Sequence, residues 1–524
     1  MSRKIPVMTP DPGKVNGSNM KKFMDHVNLI TGKNLKDYSQ LYEFSVENNT
    51  AFWKILLDYS GIRYEGSPDA PLKADDMFLN RWFDDLKLNF AENLLSNGDP
   101  DAPAIVSYRE SHPRIELSFR EVIKLSQKLA SKMKAAGIGK GDVIAAFISN
   151  VPEAVIGMLT ASSIGAVWSS TSPDFGINGV YERFGQIKPA ILIGIEEYIY
   201  AGKVYNVLDK VKEIASKLDS LKQVLIVPAF ENFRGEESVK KNENLPEGFC
   251  YFHEYFKDSE PLAEYDRFGF NEPLYIMYSS GTTGKPKCIV HGAGGTLIQH
   301  FKELSLHTNL NKNDKILYFT TTGWMMWNWL VSSLVTGACV VLYDGSPVHP
   351  VKTALWDIAE NEGLKVLGTS PKYLTMCEKT GIIPSEGRSF DKLEVLLSTG
   401  SPLSADNFRW VYKNVKPDIL LSSISGGTDI ISCFMLGNPM LPVYEGEIQC
   451  RGLGMSVKAF DPDGNDVSGA KGELVCDKPF PSMPVFFLND PGDKKYRSAY
   501  FEYYPGIWRH GDFIEVTDTG GVIV

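Results

Sequence analysis

The chain has 524 residues, room for roughly three to four domain-sized units, with the 43% hydrophobic and 23% charged content of a globular protein that buries large cores. A net charge of −10 and no long basic run argue against a nucleic-acid partner, so anionic ligands must be met by local positive charge and backbone amides. Seven cysteines without paired spacing predict reduced thiols and no zinc site. The first 17 residues lack the apolar core of a signal peptide. The longest apolar run, residues 329–343, is interrupted by Ser332, Ser333, Thr336 and Gly337 and falls short of the ~20 apolar residues of a membrane span. The expected location is the cytoplasm.

Residues 1–100 are mixed and rich in aromatics. Phe52-Trp53, Arg81-Trp82-Phe83 and the run from Leu88 to Leu94 read as apolar anchors that lay an N-terminal segment over a larger body. From about residue 102 the pattern becomes regular α/β. A strand is predicted over 102–108, and Ser118 with Glu121 forms a capping box, a helix-start signal contributing ~1 kcal/mol. Val122, Leu125, Leu129 and Met133 keep helical spacing until Gly137 stops it. A buried strand follows over 143–148, Asn150 with Glu153 is read as opening the next helix, and further strands fall at 166–168 and 190–195. Such alternation predicts parallel sheets covered by helices. Residues 230–270 are charged and read as a connector.

A short buried strand is predicted at Leu274-Tyr275-Ile276-Met277, after Pro273. It runs into Tyr278-Ser279-Ser280-Gly281-Thr282-Thr283-Gly284-Lys285-Pro286-Lys287. Glycines let backbone N–H groups turn inward as an anion nest, hydroxyls add rotatable donors, and lysines add charge, so a polyphosphate suits this loop. The spacing is not the Walker pattern, since two residues separate Gly281 from Gly284 and no Ser or Thr follows the lysine. The bland alternative is a solvated loop.

This decapeptide resembles the phosphate-binding motif of the adenylate-forming enzymes, and its continuation from His291 to His300 resembles the acyl-CoA synthetase branch that activates acetoacetate. The resemblance covers nearly the whole chain. It departs at Cys288, where most of the superfamily has glycine, and the thiol is read as packing. The implied fold is the α/β large domain of that family, with stacked αβα sheets and a smaller β-rich subdomain over residues 101–524, preceded by a short-chain acyl-CoA synthetase segment over 1–100. A hinge and a small C-terminal domain carrying the adenylation lysine are expected beyond Val524, so the chain is expected to bind ATP and to adenylate poorly.

The resemblance also implies site roles. Ser279, Ser280, Gly281, Thr282, Thr283, Gly284, Lys285 and Lys287 hold the β- and γ-phosphates. Lys203 matches a segment that contacts the nucleotide part of coenzyme A, although a lone surface lysine is usually just solvated. The cluster Trp324-Met325-Met326-Trp327 is core when read alone; by resemblance Trp324 lines the pantetheine tunnel, and Met325, Met326 and Trp327 border the acyl pocket. A strand at 395–398 ends in Thr399-Gly400-Ser401-Pro402, beyond the carboxyl end of a strand where ligands bind in open α/β sheets. That turn resembles the one bordering adenine and ribose.

The next strand, 419–421, leads into Ser425-Gly426-Gly427-Thr428-Asp429. Thr428 matches the threonine at the α-phosphate. Asp429 matches the Mg²⁺-associated glutamate, one methylene shorter, which favours a water-bridged contact. Ser425 replaces the aromatic that stacks on adenine. Gly426 stands where acetyl-CoA synthetases place a bulky Trp, so its missing side chain is expected to enlarge the acyl cavity; a plain glycine-rich turn is the alternative. Asp512, in Trp508-Arg509-His510-Gly511-Asp512, matches the carboxylate that accepts both ribose hydroxyls. A hairpin is predicted over 513–524.

The function implied is an acid–thiol ligase using ATP, Mg²⁺ and coenzyme A on acetoacetate, with Thr428, Asp429 and Lys287 as catalytic groups. A synthetase for propionate or butyrate and a non-catalytic nucleotide-binding module are the alternatives.

Overall fold

The computed structural model describes residues 4–74, 76–229, 245–279, 284–467 and 469–524. Among them the strands gather into two large sheets, one small antiparallel sheet and a few two- or three-stranded ladders.

The first large sheet runs Phe249–Tyr251, Gln223–Val227, Ile191–Ile195, Val143–Phe147, Val167–Thr171, Pro273–Ser279, Lys287–Gly292, Phe486–Phe487. It is parallel as far as Pro273–Ser279, and the last two pairings are antiparallel. The second runs Leu420–Ser423, Val395–Ser398, Val366–Thr369, Lys315–Tyr318, Cys339–Asp344, Pro103–Arg109, Ile115–Ser118, and only its last pairing is antiparallel. Strands buried on both faces need continuous apolar runs, which is why Val395–Ser398 and Ile191–Ile195 are buried at every position. Each fully buried Val, Leu or Ile in them contributes about 1.5–3 kcal/mol.

The capping box forms as predicted. The Ser118 hydroxyl accepts from the Glu121 N–H at 3.2 Å and the Glu121 carboxylate accepts from the Ser118 N–H at 2.8 Å, starting the helix Phe119–Ala135. The next helix, Pro152–Ser163, begins differently from expectation. Its N-cap is Val151, with no side-chain cap, and Pro152 sits at the first turn where its missing N–H costs nothing. Asn150 is spent elsewhere, its Oδ1 accepting from the Trp327 indole N–H at 2.9 Å. All twelve residues of that helix are buried, as are all nine of Ala293–Phe301, so both are core helices.

Residues 249–256 also depart from the expected connector. They supply an edge strand and the short helix Phe252–Phe256, whose Phe252 and Phe256 are buried. Within that connector, residues 230–244 lie outside the described residues.

The N-terminal anchors are buried as expected: Phe52, Trp53, Trp82, Phe83, Leu88, Phe90 and Leu94 all join the main core. Trp53 meets Trp82 edge-on at 6.1 Å, which joins the helix Asn49–Ser60 to the segment after it. The small antiparallel sheet, Val457–Phe460, Lys471–Cys476, Trp508–Val516 and Val522–Ile523, contains the predicted terminal hairpin and carries Asp512. No described helix is long and apolar enough to cross a membrane.

Candidate active site

Two neighbouring parallel strands, Val395–Ser398 and Leu420–Ser423, end side by side, and the turns that follow face the small sheet across a cavity of ≈ 460 Å³. Gly400, Ser401 and Pro402 line it from one turn, Ser425 and Gly426 from the next, and Asp512 from the small sheet. The two turns are tied together: the Thr399 hydroxyl donates to the Ile424 carbonyl at 2.8 Å, and the Ile424 N–H donates to the Ser398 carbonyl at 2.9 Å. Gly400 adopts φ +101°, a conformation that L side chains rarely take, and no atom lies within 4 Å of where a Cβ would sit. The Asp512 carboxylate is half-exposed and 3.5 Å from His510 Nε2. Burial pushes the His510 imidazole below its usual range, so it stands beside Asp512 as a neutral neighbour.

The strand Ser425–Gly427 continues into Thr428 and Asp429, and this stretch is fixed from behind by polar side chains of the strand Lys287–Gly292 and of the buried helix that follows it. His291 Nε2 donates to the Thr428 carbonyl at 2.8 Å, and His300 Nε2 donates to the Ile431 carbonyl at 2.6 Å. Gln299 donates to the Ser432 hydroxyl at 2.9 Å, Glu303 accepts from the Cys433 N–H at 3.0 Å, and His307 donates to the Gly437 carbonyl at 2.8 Å. Ile431 is held at φ +48°, an uncommon conformation for a β-branched residue, and the His300 bond lands on its own carbonyl. Burial lowers His291 and His300 to about 4, so both are neutral near pH 7. The π-turn Lys302–His307 that extends Ala293–Phe301 brings Lys302 and Glu303 inward together, their charged groups 3.9 Å apart and fully buried. Lys302 spends its ammonium on the Leu453 carbonyl at 3.0 Å.

The phosphate-type loop joins two antiparallel strands, with Ser279 paired opposite Lys287. Residues 280–283, among them Ser280, Gly281, Thr282 and Thr283, lie outside the described residues. Ser279 Oγ is buried with no partner among the described residues. Gly284 takes φ +88°, and Lys285 is exposed. Lys287 holds its ammonium 6.0 Å from the centroid of the Tyr500 ring. The Tyr500 hydroxyl donates a short hydrogen bond to Asp429 Oδ1, which brings Lys287, Asp429 and Tyr500 into one cluster beside Thr428.

Gly426 sits otherwise than predicted. A Cβ on Gly426 would meet the Ser432 carbonyl oxygen at 2.0 Å and the Cys433 Cα at 2.6 Å. The strand Ser432–Leu436 therefore occupies the space that a side chain would need, and the glycine permits close strand approach; it is not an open door to a larger cavity. Gly427, beside it, has open space around its Cβ direction. Trp327 is fully buried, stacked on Trp168 at 6.2 Å and bonded to Asn150. Met325 and Met326 are buried in the same core, and none of the three borders the cavity at Gly400 and Asp512. Trp324 is 65% exposed, at the N-terminus of the helix Met325–Val331. Lys203 begins the second strand of a surface hairpin with its ammonium 4.9 Å from the Tyr205 ring, away from the cavity. That hairpin is pinned by the buried Glu110 carboxylate, which accepts from the Ala201 and Gly202 N–H groups.

Tyr500, His291, His300 and Glu303 are missed by motif reading. The available signal is the polar sequence Gln299-His300…Lys302-Glu303…His307 inside an otherwise apolar helix, since buried polar groups there must bond to something.

The family description "AMP-binding enzyme" matches residues 94–483, and "Acetyl-coenzyme A synthetase N-terminus" matches residues 38–94. An acetoacetyl-CoA synthetase of Gallus gallus is 44% identical over 538 residues, covering 100% of this chain and 80% of the relative. An acetoacetyl-coenzyme A synthetase of Rhizobium meliloti is 44% identical, covering 100% and 79%. The solved structure of an acetoacetyl-CoA synthetase from Streptomyces lividans superposes with a TM-score of 0.93 at 36% identity, covering 99% of this chain and 79% of that one. By its paired turns, its sheets and these likenesses, the chain belongs to the AMP-binding enzymes, among the acetoacetyl-CoA synthetases.

Proposed function

We propose that the chain activates acetoacetate with ATP, forming acetoacetyl-AMP and then acetoacetyl-CoA, and that the cavity at Gly400, Ser425 and Asp512 takes the adenosine of the nucleotide. In the first step a carboxylate oxygen of acetoacetate attacks the α-phosphorus and pyrophosphate departs. In the second the coenzyme A thiolate sulfur attacks the acyl carbon of the mixed anhydride and AMP departs. Joining two anions makes charge neutralisation and alignment the main catalytic tasks.

The chain's residues suit those tasks. Asp512, half-exposed on the cavity, is the group for two vicinal ribose hydroxyls. Thr428 faces the α-phosphate with its backbone pinned by His291, and Lys287 supplies positive charge at the mouth of the phosphate loop. Among the described residues no group of three or more His, Cys, Asp or Glu could hold a metal. A single carboxylate, Asp429, stands beside Thr428, and Mg²⁺ takes one or two carboxylates and leaves the rest of its shell to phosphates and water. Asp429 would hold it, and when bound it neutralises charge on the phosphates.

The choice of acetoacetate among short acids rests on the likeness to acetoacetyl-CoA synthetases; Gly426 contributes nothing to it. Seven free cysteines, six of them buried, support a reducing compartment, and we assign the cytoplasm on that ground.

The observation that carries the proposal is the convergence of Gly400–Pro402, Ser425–Gly426 and Asp512, from three distant stretches, on one cavity next to Thr428 and Asp429. The test is acyl-CoA formation by the native enzyme with acetoacetate, acetate and butyrate, in the wild type and Asp512→Asn. The expected result is a preference for acetoacetate and a KM for ATP raised roughly tenfold in the variant, the loss of one charge-assisted contact. An unchanged ATP requirement in Asp512→Asn would remove the nucleotide from this cavity.

A further inference from the structure

Tyr500 ends the short helix Lys494–Tyr500, outside every motif named above, yet it touches Asp429, the strand that carries Asp512 and Lys287 at the end of the phosphate loop. Its hydroxyl donates to Asp429 Oδ1. Its ring lies flat on the Trp508 indole at 3.7 Å and 12°, at the start of the strand that carries Asp512. Its outer face lies under the Lys287 ammonium. The ring is 3% exposed and wedged between Trp508, Phe487 and Tyr496, with Phe487 and Tyr496 packed edge-on at 5.9 and 5.6 Å. A side chain so enclosed has one rotamer available, so its hydroxyl is a fixed donor. A fixed donor removes the rotational freedom of the carboxylate it bonds.

That matters because Asp429 is short. An aspartate at the end of a loop can turn either oxygen in several directions, and each such freedom must be lost before it can accept a metal or a metal-bound water. With Oδ1 occupied by the phenol, Oδ2 is left aimed at one place. We propose that Tyr500 is a positioning residue that sets the Asp429 carboxylate for the metal–nucleotide complex and couples it to the strand holding Asp512.

The inference rests on the ATP-dependent reading, and the experiment separates the two. Mn²⁺ binding is followed by loss of the free-ion paramagnetic signal, in the presence of α,β-methylene ATP, for the wild type, Tyr500→Phe, Tyr504→Phe, Asp429→Asn and the double variant Asp429→Asn/Tyr500→Phe. Tyr504 is the control, a nearby tyrosine whose hydroxyl goes instead to the Asp461 carbonyl at 2.8 Å. Tyr500→Phe keeps the ring and its stacking, and thermal melting checks the fold of each variant.

The expected result is Mn²⁺–nucleotide affinity lowered roughly tenfold in Tyr500→Phe, the cost of one hydrogen bond to a charged group. Affinity for the analogue in EDTA should stay within about twofold, since the lost bond serves the metal and not the base or ribose. Tyr504→Phe should bind as the wild type. In the Asp429→Asn background, removing the Tyr500 hydroxyl should cost no more than about twofold, because its effect passes through the carboxylate. Wild-type metal affinity in Tyr500→Phe overturns the inference, as do losses from Asp429→Asn and Tyr500→Phe that multiply. A wild type that binds no Mn²⁺–nucleotide overturns the functional reading itself.

Discussion

Replacing Gly426 with alanine separates two physical pictures of the same motif. If the missing side chain leaves room in an acyl pocket, a methyl group fits and trims the list of accepted acids. The structure says otherwise, because the new Cβ would lie 2.0 Å from the Ser432 carbonyl oxygen and 2.9 Å from the Ser432 carbonyl carbon, both backbone atoms. Relief requires the strands Ser425–Gly427 and Ser432–Leu436 to part by about 1 Å, since no side chain can swing away. The pairing there is already irregular, with a register shift between Ser425 and Gly426, and Cys433 is tethered on its far side by Glu303. Movement would therefore strain a buried carboxylate as well as the ladder. The expected cost of Gly426→Ala is about 2–4 kcal/mol, in the range of core overpacking. Gly427→Ala, with open space at its Cβ, should cost within about 0.5 kcal/mol. Urea unfolding followed by tryptophan fluorescence measures both, and the relative rates on acetoacetate, butyrate and acetate are recorded alongside. Gly426→Ala with wild-type stability and a changed acid preference would refute the steric argument and restore the open-pocket picture.

The buried histidines predict a pH dependence. His291 and His300 titrate near 4 in the folded chain against 6.5 when exposed, so between those values the unfolded chain binds more protons. Their contribution to stability is thus complete above about pH 6.5 and declines as the pH falls toward 4, by on the order of a few kcal/mol for each. Urea midpoints from pH 7.5 to 4.5 should fall accordingly, and His300→Gln, which keeps a donor for Ile431 without titrating, should flatten the slope; an unchanged slope would refute it. Trp324→Ala should leave stability within about 0.5 kcal/mol, because the indole is 65% exposed. If that indole lines the coenzyme A path, the variant raises the KM for coenzyme A and spares acetoacetate-dependent pyrophosphate exchange; equal effects on both half-reactions would place Trp324 elsewhere.

What could be read from the residues alone follows from the range of the forces involved. The strand Val395–Ser398 and the helix starting at Phe119 were legible because an uninterrupted apolar run and a Ser-to-Glu capping box are local signals. The convergence of Gly400, Ser425 and Asp512 was legible only through family resemblance, since nothing local says that residue 512 faces residue 400. Asn150 shows the opposite failure. Its spacing to Glu153 imitates a helix cap, but its partner is an indole 177 residues away. Gly426 fails for the same reason, because a glycine's purpose depends on what lies where its side chain would be, here the backbone of Ser432. Tyr500 carries no motif at all; only the folded aromatic cluster gives its hydroxyl a fixed direction.

The row of bonds from His291, Gln299, His300, Glu303 and His307 to the stretch between Thr428 and Gly437 has a mechanical consequence. Five bonds from one strand and the helix that continues it tie that stretch to the core, so it serves as the stationary jaw of the site. The small sheet with Asp512 meets that jaw through the Tyr500 phenol on Asp429 and through the His510 ring, edge-on to Phe434 at 4.8 Å, so Asp512 is braced against the fixed side and not hung from a free loop.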